Sequence, residues 1–237
     1  LSASVVNGKI YVFGGRNHDK IFTSVVEEYD PELDKWSAKS GLPNIRAFLS
    51  SATVNDRIYV IGGFNGNNDV SFVEEYNPQK DEWVRKNDMP TTRDGLVTCV
   101  VNNKIYAIGG VGGNSLPGQA LPTVEEYDPE TDTWIRKADM LVPRGGHSAV
   151  AINNKIYVFG GQTGLWGPDG GPLVSVVEEY DPLSDTWTKK SEMPVSRNLL
   201  SVSAMNGKAY IIGGAINMGA ALPIVEEYDP IKNAWTK

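Results

Sequence analysis

The sequence predicts an all-β fold assembled from five copies of one four-stranded antiparallel unit, and three recurring markers carry that prediction. A Gly-Gly pair stands at 14–15, 62–63, 109–110, 160–161 and 213–214. A Glu-Glu-Tyr stands at 27–29, 74–76, 125–127, 178–180 and 226–228. A Trp stands at 36, 83, 134, 187 and 235. The step from Tyr to Trp is always 7, and from each Trp to the next Gly pair it is always 26. Only the interval between the Gly pair and the Glu pair varies, holding 11, 10, 14, 16 and 11 residues. Self-similarity at a period of about 47 to 53 residues is the signature of a repeat architecture.

Each element of the unit has its own local reason. The first strand is an apolar run, such as SASVV or SAVAI. A two-residue turn follows: Asn7-Gly8, Asn55-Asp56, Asn102-Asn103, Asn153-Asn154 and Asn206-Gly207. These residue types tolerate the positive φ that a tight type I′ hairpin demands. The second strand is β-branched and aromatic (KIYVF, RIYVI, KIYAI, KIYVF, KAYII) and ends at the Gly pair. After the variable stretch, VEEY makes the third strand. An Asp-Pro, or Asn77-Pro78 in the second copy, opens the next turn, with Pro preset for its second position. The Trp begins the fourth strand. No stretch shows sustained helical spacing.

One four-stranded sheet cannot cover both of its faces, but several stacked face to face around an axis can, as in a β-propeller. The blades fall at about 1–43, 44–90, 91–142, 143–194 and 195–237, together one domain. The markers resemble the kelch repeat: the Gly pair after a strand, the Tyr-Asp-Pro, the Trp seven residues after that Tyr, and the downstream Met-Pro…Arg (Met89-Pro90…Arg93, Met193-Pro194…Arg197). The resemblance covers the whole chain and implies a kelch-type propeller. Kelch propellers commonly have six blades. Five are favoured here, because both chain ends fall in the same inter-blade loop; a fragment of a six-bladed ring is the alternative. The framework Tyr and Trp are expected to be substantially buried between blades. One Glu of each pair is expected to be partly buried and bonded to the Arg before the following first strand (Arg46, Arg93, Arg144, Arg197).

Five identical carboxylate pairs argue against catalysis, since a catalytic site needs one constellation. His18 and His147 lie in different repeats, and Cys99 lies in the apolar run LVTCVV, so neither the ligand set of a galactose-oxidase type copper enzyme nor a zinc motif is present. The Gly pairs precede no helix and are not phosphate loops. No cofactor and no metal site is expected. The net charge is −7, but ten of the 29 acidic residues are the paired glutamates of the framework. No basic stripe suggests nucleic acid, and no apolar run is long enough for a membrane span. Leu1 already lies inside the repeat pattern, so other domains of a longer chain are allowed. Cytoplasmic and secreted locations are both allowed.

The expected function is non-catalytic recognition. All length variation lies after the second strand, and variation confined to one face of a repeat protein marks a binding face. The candidate residues there are Arg16, His18, Phe48, Phe64, Asn65, Asp69, Asp94, His147, Trp166, Asp169 and Asn198. Trp166 is the one tryptophan outside the framework, and an aromatic on a Gly/Pro-rich loop suits a contact hot spot. The expected ligand is a protein or peptide. The alternative is a carbohydrate-directed kelch protein, either a lectin or an enzyme like the sialic-acid epimerases.

Overall fold

The computed structural model describes residues 1–19, 21–112, 118–165, 170–216 and 220–236. The fold is a five-bladed β-propeller of four-stranded antiparallel sheets, and no helix occurs among the described residues. Blade 1 is β1 (Ser2–Val6), β2 (Lys9–Phe13), β3 (Val26–Asp30) and β4 (Lys35–Ala38). Blade 2 is β5 (Ser50–Val54), β6 (Arg57–Ile61), β7 (Val73–Asn77) and β8 (Glu82–Arg85). Blade 3 is β9 (Val97–Val101), β10 (Lys104–Ile108), β13 (Val124–Asp128) and β14 (Thr133–Lys137), with a short ribbon of β11 (Val111–Gly112) and β12 (Gln119–Ala120) in its variable loop. Blade 4 is β15 (Ser148–Ile152), β16 (Lys155–Phe159), β17 (Val177–Asp181) and β18 (Thr186–Lys190). Blade 5 is β19 (Ser201–Met205), β20 (Lys208–Ile212), β21 (Val225–Asp229) and β22 (Ala234–Thr236).

Strands pair in chain order within every blade, so each connection is a hairpin. The first turn behaves as its chemistry requires. Asn102 and Asn103 have φ of 51° and 59°, and Asn153 and Asn154 have 52° and 60°, the left-handed pair of a type I′ turn. The second hairpin places Tyr opposite Trp, as in Tyr29↔Trp36 and Tyr180↔Trp187. Their ring centroids are 5.0 and 4.9 Å apart, close enough for direct ring contact. At the end of the second strand a side chain is impossible. A Cβ on Gly14 would meet the Arg46 carbonyl at 2.6 Å, and one on Gly160 the Arg197 carbonyl at 2.5 Å. The Gly pair is therefore the place where the linker to the following blade crosses the strand.

The chain divides into two compact units: residues 1–107 with 125–135, and residues 108–124 with 136–237. In the first, Phe13 meets Tyr76 and Trp83 edge-on at 6.2 and 5.9 Å, and Ile61, Val73, Ile105 and Tyr127 share a buried cluster. In the second, Phe159 meets Tyr228 and Trp235 at 5.7 and 6.0 Å. Tyr76, Tyr127, Tyr180 and Tyr228 are fully buried, as expected. Trp83, Trp134, Trp187 and Trp235 are only half-buried, and Trp36 is 52% exposed. The reason is position: Trp lies on the fourth strand of its blade and packs one ring face on Tyr, and in blades 2 to 5 its indole N–H donates to a carbonyl of the linker from the preceding blade.

Candidate functional site

The repeated charges are structural. Arg46, Arg93, Arg144 and Arg197 are fully buried. Each reaches the first Glu of a pair: Arg46 to Glu74 at 2.6 Å, Arg93 to Glu125 at 2.9 Å, Arg144 to Glu178 at 2.6 Å and Arg197 to Glu226 at 2.7 Å. Burial pulls the Arg144 guanidinium down to about 10 and pushes the Glu178 carboxyl up. A buried pair of this kind is costly to break by removing one partner. The second Glu of the pair faces the other way. Burial alone would raise Glu28, but Tyr11, Lys9 and Lys39 hydrogen-bond it and hold it down to about 2. Glu179 is held in the same way by Lys155, Lys190 and Tyr157.

One framework residue escaped the sequence reading. Five residues after each Tyr stands Asp34, Asp81, Asp132, Asp185 or Asn233, in left-handed backbone with φ between 49° and 55°. Its side-chain oxygen accepts the Tyr hydroxyl, at 2.6 Å for both Tyr76–Asp81 and Tyr127–Asp132. In blades 2 to 5 it also accepts a backbone N–H from the linker, as from Ser40 to Asp81 at 2.8 Å. The signal was available, since the offset from Tyr never changes.

The loop-face candidates of the first unit form a connected group. Arg16 lies over the rings of Phe22 and Phe48, 5.8 and 5.6 Å from their centroids. Phe22 meets Phe64 at 5.7 Å; Phe22 was not singled out by sequence. Phe64 is bridged to Ala47 on one side and Asp69 on the other. The Phe48 carbonyl accepts the Gly95 N–H at 2.9 Å, which brings Asp94 alongside. Phe48 has φ of 55°, where the equivalent residue of blade 3 is Gly95 at 56°. Among the described residues the Asp69 and Asp94 side chains make no hydrogen bond or ion pair. Burial pushes Asp69 up to about 6, and burial with repulsion from Asp69 pushes Asp94 up to about 7. Asn65 caps its own loop by accepting the N–H groups of Asn67 and Asn68, both at 2.9 Å. His18 is fully exposed and approaches only Asp19, at 3.5 Å.

In the second unit Asn198 donates to the Gln162 side chain at 3.2 Å, and Leu199 repeats the left-handed display of Phe48 with φ of 53°. His147 is only 7% exposed and packs beside Gly109 and Gly161, so it is a packing residue there. Trp166 and Asp169 lie outside the described residues. Cys99 is buried, and burial pushes its thiol up to about 12. Among the described residues no group of three or more His, Cys, Asp or Glu could hold a metal ion.

Five blades with one shared framework and divergent loops define a repeat-built β-propeller. The chain belongs to the kelch-repeat family. The KLHDC2/KLHL20/DRC7 Kelch-repeats domain matches residues 1–161, and the Kelch motif matches 143–194 and 196–237. The rat Kelch-like protein 7 (Rattus norvegicus) is 43% identical over 211 residues, covering 89% of this chain and 35% of that protein. The human Kelch repeat and BTB domain-containing protein 12 (Homo sapiens) is 30% identical over 220 residues, covering 88% of this chain and 28% of that protein. Kelch-like ECH-associated protein 1B of Danio rerio is 36% identical over 97 residues, covering 41% of this chain and 16% of that protein. The chain thus spans about a third or less of the length of these relatives.

Proposed function

We propose that the chain is a non-catalytic recognition module that binds a protein or peptide through its variable-loop face, with the Arg16–Phe22–Phe48–Phe64 group and the Asp69–Asp94 pair as a contact centre. One relative carries association with a partner in its name, and loops on a rigid scaffold are where binding residues concentrate. The observation that carries the reading is the Asp69–Asp94 pair: two recessed carboxylates, both pushed up by burial and neither paired with a cation among the described residues. A lysine or arginine of a ligand would supply the missing charge, and the adjoining rings would bury its aliphatic stem.

The pH dependence follows with a definite sign. Asp94 loses its proton as pH rises through about 7, so attraction for a cationic side chain strengthens from pH 5.5 to pH 8. The test is a peptide array of fixed length screened with the purified chain at both values. Bound peptides are expected to be rich in Lys or Arg and to bind more tightly at pH 8. Asp69→Asn with Asp94→Asn is expected to weaken them by about tenfold or more, the equivalent of about 1.4 kcal/mol, and to flatten the pH profile. Selection of acidic peptides, or unchanged binding by the double variant, would overturn the proposal.

A further inference from the structure

Phe22, Phe48 and Phe64 lie on the loop face of the first compact unit, outside the repeated framework. The Arg16 guanidinium stands over two of these rings, 5.8 Å from the Phe22 centroid and 5.6 Å from that of Phe48. Phe64 backs Phe22 at 5.7 Å. Among the described residues the Arg16 side chain makes no ion pair and no hydrogen bond. Ring faces alone hold it there. A guanidinium tolerates such a place because it is more weakly hydrated than an ammonium.

The backbone of Phe48 is a second, independent observation. Its φ is 55° and its side chain is 38% exposed. A bulky residue in left-handed backbone is strained. Gly95 and Gly146, with φ of 56° and 60°, fill the same repeat position without that strain. A ring is thus kept where glycine suffices for the fold, and strain of this kind gathers at ligand sites. Two carboxylates border the rings. Asp69 is bridged to Phe64, and Asp94 precedes Gly95, whose N–H meets the Phe48 carbonyl at 2.9 Å.

We propose that the cleft between Phe22 and Phe48 takes the Nε-methylated side chain of a lysine in a peptide, and that Arg16 is the resident cation which this ligand displaces. The proposal rests on the recognition function proposed above and narrows its ligand. Phenyl faces attract a cation but offer no lone pairs to its N–H groups. An unmethylated ammonium carries three donors that need acceptors and is strongly hydrated. Methylation keeps the charge and replaces those donors with methyl groups, so ring faces become sufficient partners. Asp69 and Asp94 then balance the charge from the border of the cleft. Arg16 is exposed and can swing into water as the ligand enters.

The probes are N-acetyl-lysine amide, its Nε-trimethylated form and tetramethylammonium chloride. The readout is the shift of the Phe22 and Phe48 ring signals in NMR titrations of the purified chain. The trimethylated probe is expected to bind about tenfold more tightly than the unmethylated one, and tetramethylammonium to shift the same rings. Arg16→Ala should tighten binding several-fold, because a cleft filled by its own chain binds only in the fraction that is open. Phe48→Gly should abolish binding without lowering the melting temperature, since glycine relieves the backbone; a fall in both would mark the ring as structural and overturn the proposal. Weaker binding of the trimethylated probe to Arg16→Ala would also overturn it, because Arg16 would then be a contact and not a competitor. So would tighter or equal binding of unmethylated lysine, an outcome that leaves the recognition function standing if Asp69→Asn with Asp94→Asn abolishes that binding. Rings shifted by none of the probes would sink the methyl-lysine site, while the peptide array still decides the recognition function.

Discussion

Arg93 shows how much a single residue carries. Its guanidinium donates to Glu125, to the Ala107 carbonyl at 3.1 Å and, through Nε, to the Met89 sulfur at 3.3 Å. Its side chain is wholly out of water. Replacing it with Met leaves the buried Glu125 without its cation and with only the Thr91 hydroxyl, at 2.7 Å, as a side-chain donor, and is expected to cost about 3–5 kcal/mol. Adding Glu125→Leu removes the stranded charge as well, so the double variant should recover a substantial part of that loss. Urea unfolding of the two variants is the check. A double variant no more stable than Arg93→Met alone would show that hydrogen bonding to Ala107, not charge pairing, is what the arginine contributes.

At the scale of the element, the hairpins were the most legible part of the sequence. A two-residue Asn/Asp/Gly turn between apolar runs admits one reading. Asn102→Val puts a β-branched residue at φ 51° and is expected to cost about 1–2 kcal/mol. Asn103→Gly, at φ 59°, should change stability by well under that. Equal effects of the two would deny the turn its type. The loop ends were harder to read. His147 was read from sequence as a candidate on the binding face, and its burial was not legible there. The third residue after each buried Arg is buried in all four copies: Leu49, Leu96, His147 and Leu200, at 5, 6, 7 and 7% exposure. Comparing the copies column by column would have placed it in the core. The Arg16–Phe22–Phe48 group was only half legible. Ring contacts join residues 22 and 64, and no local pattern in sequence encodes a contact between loops of different blades.

The whole molecule repeats one interface, so its stability is close to a sum of neighbour terms. Its two compact units contain separate aromatic clusters. Arg93→Met is therefore expected to speed hydrogen exchange in β7 and β13 far more than in β17. Uniform loss of protection across all three strands would instead mean a single cooperative block. The constant step of 26 from Trp to Gly pair bears on how such a chain can change over generations. Every junction is built from the same carboxylate, indole and arginine, so a cut made at one linker can be rejoined at any other. Gain or loss of an entire copy would preserve each remaining junction, whereas a deletion of even a few residues inside a linker would break two blades at once. Recombination in the gene is thus tolerated in whole repeats, and the variable loops are free to diverge between them.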